Sequence, residues 1–109
     1  MEKLTLRELC EALYVSRRMV QGYEQHGLVK ASDRNKYGYL LYDREAVERV
    51  KKIRFLQEMG FKLREIEGII DAPTGTYKAI LSRQIERLEQ EQIKRWEVIR
   101  RARKVIEGL

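Results

Sequence analysis

The chain has 109 residues, enough for one small domain with an extension but too few for two full hydrophobic cores. Charged residues make up 37% of it, and the net charge of +6 favours an anionic partner. Its one cysteine, Cys10, excludes a disulfide framework and a cysteine-based metal cluster, and the lack of a long apolar run or signal-peptide core predicts a cytoplasmic protein with no membrane partner.

The basic character is unevenly distributed along the chain. Residues 1–72 carry 14 Lys and Arg against 12 Asp and Glu, a net charge of +2, and residues 73–109 carry 9 against 5, a net charge of +4. A nucleic-acid face in the first part therefore depends on where individual side chains are placed. The single proline and the 3.6-residue periodicity of the apolar positions predict a mainly α fold.

Two short helices are predicted near the N-terminus. Residues 5–13 begin with a capping box formed by Thr5 and Glu8. Ser16 is a favourable N-cap for a second helix that runs to about Gln25. The first helix places its apolar side chains on one face: Leu6, Leu9, Cys10 and Leu13.

Two helices joined by so brief a turn form a helix-turn-helix, in which the second helix often enters the major groove of DNA. Its outward side chains include cations that suit guanine or phosphate and an amide that suits adenine. The spacing alone does not separate this interpretation from a solvated helical pair with a purely structural role. The predicted DNA contacts on this helix are Ser16, Arg17, Arg18 and Gln21, with Tyr23 as a phosphate-side support.

A wing is predicted after the second helix. Residues 28–30 and 39–42 have the composition of two short strands around a polar loop that contains Gly38. Basic and aromatic residues at the tip of such a hairpin suit phosphate and sugar contacts, although the tyrosines could instead pack the wing onto the core. The predicted DNA contacts here are Arg34, Lys36, Tyr37 and Tyr39.

Two further helices and a linker complete the predicted DNA-binding domain, residues 1–72. Asp43 is positioned to cap a third helix that extends to about Met59. A short fourth helix begins after Gly60, and residues 71–76 read as a linker to the second domain, residues 73–109.

One long helix of about 45 Å is predicted over residues 77–107. Apolar residues recur at alternating steps of four and three, interrupted by Gln92 and Arg95, which is typical of a coiled-coil seam. Further apolar residues lie beside the seam, so a partner is expected, and a second copy of the chain is the simplest one. Folding back onto its own domain is the alternative. The predicted dimerisation residues are Leu81, Ile85, Leu88, Gln92, Trp96, Ile99 and Ile106.

In this order, the segments resemble the MerR family of bacterial transcription regulators over essentially the whole chain. The resemblance implies a winged helix-turn-helix domain and an antiparallel coiled-coil homodimer that binds a palindromic promoter operator in double-stranded DNA. It also implies distortion of the promoter so that RNA polymerase can use it. The matching stretches are residues 4–13, Val15-Ser16, Tyr23-Glu24, Gly27-Leu28, Gly38-Tyr39 with Tyr42, and residues 60–66.

The sequence departs from the family pattern in three places. Gln21-Gly22 stands where the family often has Arg-Tyr, and Leu40 stands where the wing often has arginine. These two departures leave the operator sequence open. Metal-sensing and redox-sensing members carry cysteines after the long helix, and drug-sensing members carry an effector domain, whereas this sequence stops at Leu109. We therefore expect no metal, no cofactor and no separate effector domain, and the small-molecule effector stays unknown.

Sequence-specific transcription regulation is thus the leading hypothesis. The altered recognition helix also suits an architectural or mobile-element DNA-binding protein, for chromosome organisation or excision, and the long helix suits an interaction adaptor. An enzyme is not expected, because there is no glycine-rich phosphate loop and His26 is the sole histidine.

Overall fold

The computed structural model describes residues 3–109. The chain divides into two compact units, the first ending at Ala72 and the second comprising Pro73–Leu109. The predicted fold, a mainly α winged helix-turn-helix followed by a long helix, is confirmed. The elements are β1 (Leu4–Thr5), α1 (Leu6–Leu13), α2 (Arg17–Gln25), β2 (Asp33–Arg34), β3 (Leu40–Tyr42), α3 (Arg44–Glu58), α4 (Leu63–Ile69) and α5 (Thr74–Glu107).

Local hydrogen bonds fix the start of α1 as the sequence predicts. The Glu8 amide donates to Thr5 Oγ1 at 3.2 Å, and the Thr5 amide donates to Glu8 Oε1 at 2.9 Å. This capping box pairs two amides that no helical carbonyl can reach. Hydrogen bonds that Thr5 makes to the Glu8 carboxylate, first from its backbone amide and then from its side chain, lower the pKa of the Glu8 carboxyl.

The turn between α1 and α2 is also defined by local bonds. Tyr14 adopts a left-handed conformation with φ 55° and ψ 43°, and the Val15 amide reaches back to the Cys10 carbonyl at 3.2 Å. Ser16 then caps α2, because its Oγ accepts from the Met19 amide at 3.0 Å. The chain therefore changes direction within three residues.

The wing belongs to a three-stranded antiparallel sheet in which β3 lies between β1 and β2. Leu4 is paired with Tyr42, and Arg34 with Leu40. The predicted strand at residues 28–30 is wrong. Leu28 and Val29 are instead core residues, 3% and 6% exposed, that lead the chain away from α2. Core positions such as these are apolar, and two consecutive apolar residues resemble a short buried strand in the sequence.

The core of the first unit lies where α1, α2, α3, α4 and β3 meet. The third helix is capped at Asp43, whose Oδ1 accepts from the Ala46 amide at 2.9 Å, and the chain turns after it at Gly60, with φ 99°. Both features agree with the prediction. The fully buried side chains include Leu9, Val20, Tyr42, Val50, Ile53, Leu56 and Ile66.

The second unit consists of α5, a helix of 34 residues, or about 51 Å. It starts at Thr74, three residues earlier than predicted, because the Pro73 carbonyl already accepts from the Tyr77 amide at 2.8 Å. Proline lacks an amide proton and is well suited to a helix start. Half of the predicted linker, residues 74–76, is therefore helix.

Candidate nucleic-acid interface

Helix α2 has one buried face and one polar face. Val20 is fully buried and Tyr23 is 1% exposed, whereas Arg17, Arg18 and Gln21 are exposed. The separation follows from helical geometry, because residues three apart lie on the same side of the helix. The face that carries the predicted base-reading side chains is therefore held outward by the packing of the other face.

The N-terminal end of α2 is electropositive. Within residues 3–109, neither Arg17 nor Arg18 forms a salt bridge, and the first turn of α2 contains no acidic residue. The positive end of the helix dipole adds to the two guanidinium charges. Ser16 is exposed beside them, but its Oγ accepts the capping bond, so its free donor is the hydroxyl proton. This end of the helix is suited to binding an anion.

Tyr23 is not available for the predicted phosphate contact. Its side chain is 1% exposed, and its hydroxyl donates to Gln57 Oε1 on α3 at 2.6 Å. Burial raises the pKa of this phenol. The prediction of a DNA contact through this side chain is wrong, because Tyr23 lies one turn after Val20 on the inward face.

The tip of the wing is held by one asparagine. Asn35 Oδ1 accepts from the amides of Tyr37 and Tyr39, both at 3.0 Å, and the Asn35 carbonyl accepts from the Gly38 amide at 3.0 Å. Gly38 has φ 84°, a conformation that glycine adopts without a steric penalty. An Asn-x-x-Gly sequence of this kind is typical of a turn, and here it makes the tip well defined.

The predicted wing contacts are all exposed. Tyr37 and Tyr39 are 72% and 65% exposed, so they do not pack the wing onto the core. Lys36 Nζ lies 5.1 Å from the centre of the Tyr37 ring. Arg34 donates through Nη1 to the Gly38 carbonyl at 2.7 Å, which holds its guanidinium along the loop and leaves its other N–H groups for a partner.

A groove connects the wing with the two helices of the helix-turn-helix. Its volume is about 500 Å³. The groove contains Arg7, which the sequence analysis did not single out as a DNA contact. Arg7 could have been identified from the sequence, because it is a basic residue in the first turn of α1 and lies outside the apolar stripe. The Arg7 side chain is 81% exposed and its Nε lies 3.2 Å from Glu11. The groove is lined by Thr5, Leu6, Arg7, Arg17, Gly38, Tyr39 and Leu40.

Arg49 of α3 binds the segment that follows α2. Its Nε donates to the Leu28 carbonyl at 2.7 Å, and its two terminal nitrogens bind the Asp71 carboxylate at 2.8 and 3.2 Å. The Arg49 guanidinium lowers the pKa of the Asp71 carboxyl. A single side chain therefore ties the segment after α2 to the end of the first unit.

A buried tyrosine anchors the same region from the sheet. Tyr42 Oη donates to Glu24 Oε1 at 2.7 Å. Burial, followed by this carboxylate, raises the pKa of Tyr42 well above its usual range. At the end of α2, His26 Nδ1 lies 2.6 Å from Glu67 of α4. These contacts give α2 a fixed orientation in the first unit.

Three further properties of residues 3–109 concern metal binding, membrane insertion and thiol reactivity. In residues 3–109, no group of three or more His, Cys, Asp or Glu side chains could hold a metal ion. No helix in that range is long and apolar enough to cross a membrane. Cys10 is partly buried, and desolvation raises the pKa of its thiol, so the reactive thiolate form is disfavoured.

Helix α5, by itself, leaves most of its predicted dimerisation residues uncovered. Ile85 is 48% exposed, Trp96 is 55% exposed and Ile106 is 68% exposed. Leu88 and Ile99 are 37% and 39% exposed. Leu81 is half-buried and Gln92 is exposed. The helix thus carries a long apolar face together with nine basic and five acidic residues of the second unit.

Known protein sequences are similar to the first part of this chain. Residues 4–73 match the family described as MerR HTH family regulatory protein. The nodulation protein NolA of Bradyrhizobium elkanii is 43% identical over 82 residues, which cover 75% of this chain and 37% of NolA. The HTH-type transcriptional activator mta of Bacillus subtilis is 34% identical over 84 residues, which cover 77% of this chain and 33% of mta. The chain spans about a third of the length of these relatives.

Solved structures extend the similarity through the long helix. The N-terminal part of the Bacillus subtilis multidrug transporter activator, MtaN, aligns with a TM-score of 0.77 and 31% identity over 95% of this chain and 98% of that one. HiNmlR, a MerR family regulator lacking the sensor domain and bound to promoter DNA, has the same fold, with a TM-score of 0.64 and 18% identity over 87% of this chain and 82% of that one. With the family profile matched over residues 4–73, the chain belongs to the MerR family of helix-turn-helix regulatory proteins.

Proposed function

We propose that the protein is a sequence-specific DNA-binding transcription regulator that acts as a homodimer on a palindromic promoter operator. The observation that carries this proposal is the positive N-terminal end of α2. Arg17 and Arg18 are exposed there without a carboxylate partner in residues 3–109, while the opposite face of the helix is packed into the core. A helix held in this way can enter a major groove without rearrangement.

In this proposal, the two arginines and Gln21 contact different chemical groups of the DNA. Arginine pairs through two N–H groups with guanine or with phosphate, and glutamine pairs with adenine. Phosphate contacts fix the position of a protein on the duplex, and base contacts distinguish one sequence from another. The exposed wing residues Lys36 and Tyr39 supply further backbone contacts, since the Asn35 turn holds them in a defined place.

A homodimer explains the surface of α5. Exposed side chains such as Trp96 and Ile99 would be covered by the same helix of a second copy. Residues 77–93 carry three basic and three acidic residues, whereas residues 94–107 carry six basic and two acidic residues. An antiparallel pair places the basic half against the balanced half, while a parallel pair would place two halves of charge +4 side by side. Charge therefore favours the antiparallel arrangement.

Two copies of α2 in such a dimer would read two half-sites. With the half-sites fixed by the protein, the dimer can hold the DNA between them in a bent form, which costs a few kcal/mol that the contacts offset. Distortion of the promoter spacer for RNA polymerase is the regulatory step in this proposal. A regulator of this kind would act on the bacterial chromosome in the cytoplasm.

The decisive experiment is selection of bound sequences from random duplex DNA by the full chain, followed by footprinting of the selected site. We expect a palindrome with two half-sites. The variant R17A/R18A should bind it roughly 10- to 100-fold more weakly, and the slope of log affinity against log salt should fall by about 2 if both arginines contact phosphate.

The matched control is R100A/R101A, which removes the same charge from an adjacent arginine pair on α5. We expect this variant to keep the affinity for the operator within about threefold, because these two arginines lie outside the helix-turn-helix and the wing that are proposed to contact DNA. Binding that is blind to sequence, with no enriched palindrome, would contradict transcription regulation. Deletion that changes chromosome organisation or excision but leaves transcript levels unchanged would favour the architectural role.

A further inference from the structure

The turn of the helix-turn-helix contains an unusual tyrosine. Among residues 3–109, Tyr14 is the one non-glycine residue with positive φ, at 55°. A side chain at such a position places Cβ too close to the following carbonyl oxygen. Conformations of this kind persist where the surrounding structure imposes them, and they are concentrated at functional sites.

The turn imposes the left-handed conformation on whichever residue occupies position 14. The Val15 amide donates to the Cys10 carbonyl at 3.2 Å, a bond that closes the C-terminus of α1 in a Schellman motif. Helix α2 ends with the equivalent bond, from the Leu28 amide to the Tyr23 carbonyl at 3.0 Å. There the left-handed residue is Gly27, with φ 69°. The same backbone motif thus uses glycine at one helix end and tyrosine at the other.

No hydrogen bond of the Tyr14 side chain within the described part of the first unit compensates for its left-handed conformation. Its side chain is 86% exposed, and it makes no hydrogen bond with residues 3–109. The other tyrosines near α2 differ in this respect, because Tyr23 and Tyr42 are buried and donate their hydroxyls to Gln57 and Glu24. Folding of the first unit therefore does not account for a large aromatic residue at position 14.

The position of Tyr14 relative to α2 suggests its use. Val15 is 5% exposed and points inward, and the extended Ser16 that follows is exposed again. Tyr14 and Ser16 therefore lie on the solvent side of the connection, next to the end of α2 that carries Arg17. Three residues span at most about 11 Å, so the Tyr14 ring lies within reach of the edge of a groove that this end of α2 enters.

We infer that Tyr14 contacts the sugar–phosphate backbone of DNA at the edge of the groove entered by α2, with its ring against a sugar and its hydroxyl donating to a phosphate oxygen. This inference rests on the proposed DNA-binding function. A neutral hydroxyl releases no counterion, so the contact adds affinity without adding to the salt dependence. The contact positions the recognition helix and does not read a base.

The inference predicts opposite effects on stability and on DNA binding. Replacement Y14G removes the steric penalty, and we expect the melting temperature of the free protein to rise by roughly 2–6 °C. The same variant should bind the selected operator about 3- to 10-fold more weakly, the size expected for one hydrogen bond with its packing. The slope of log affinity against log salt should stay at the wild-type value, whereas R17A should lower it by about 1 if Arg17 contacts phosphate.

Two further variants separate the contact from the backbone. Asparagine tolerates the left-handed conformation, so Y14N keeps the turn and removes the ring, and it should lose affinity as Y14G does. Y14F keeps the ring and should lose affinity by a smaller factor. The inference is overturned if Y14G and Y14N both bind within twofold of the wild type, or if only Y14G loses affinity, because that loss would come from a looser turn. Failure of the wild type to bind DNA would instead overturn the proposed function.

Discussion

Helices α2 and α5 differ in how far their apolar residues are buried. Helix α2 has nine residues, and its Val20 and Tyr23 are buried within the first unit. Helix α5 has 34 residues and leaves Trp96, Val105 and Ile106 at least 55% exposed. The short helix therefore leaves a polar surface uncovered, and the long one leaves an apolar surface uncovered. The kind of residue that remains uncovered indicates the kind of partner.

The strongest test of this comparison removes the apolar seam of α5. We expect I99D to dissociate the proposed dimer and to lower affinity for a palindromic operator by at least about 100-fold, because a buried carboxylate is costly and each half-site then binds alone. Sedimentation equilibrium gives the oligomeric state. The matched control V98D changes the neighbouring exposed residue beside the seam, and its effect should be clearly smaller. Equal effects of the two variants would contradict the seam.

The second test asks whether the first unit is held together by its own core. Ile53 is fully buried on α3, so I53A should lower the free energy of unfolding by about 2–5 kcal/mol. Phe55 lies on the same helix but is 48% exposed, and F55A should cost less than about 1 kcal/mol. Urea unfolding measures both. A larger loss for F55A would show that Phe55 is covered by a partner.

The third test concerns the buried face of α2. Y23F removes the hydroxyl that donates to Gln57 Oε1 at 2.6 Å, and we expect a loss of about 1 kcal/mol in the free energy of unfolding. The salt dependence of DNA binding should not change, because Tyr23 is a core residue. A reduced salt slope with unchanged stability would restore the phosphate contact predicted from the sequence.

The smallest expected effect concerns the Arg49–Asp71 ion pair. The hydrogen bonds from Arg49 lower the pKa of Asp71 below its unfolded value, so the pair stabilises the fold above pH 4 and loses its contribution as the pH falls through the folded pKa. Asp71 is 72% exposed, so the contribution is about 0.2–1 kcal/mol. D71N should lower stability at pH 7 by that amount and leave it unchanged near pH 2. An equal loss at both values would exclude the ionic origin.

Local sequence determined the helices and their ends. The capping box of Thr5 and Glu8, the caps at Ser16 and Asp43, and the turn at Gly60 all act through bonds between residues near in sequence. Such bonds depend little on the rest of the fold, so they can be predicted from the residue types. The outward placement of Arg17 and Arg18 followed from the same periodicity.

Tertiary structure decided what depends on distant partners. Strand β2 pairs at residues 33–34, because Leu28 and Val29 are drawn into the core and the wing begins only after them. Strand β1 has two residues, too short to produce a periodic signal, and exists because β3 offers an edge. The exposure of Tyr14 was equally hidden, since one aromatic residue type serves in a core or at a surface. Sequence determined which segments are helices and which side chains of α2 face outward, whereas contacts between distant residues decided where the short strands pair.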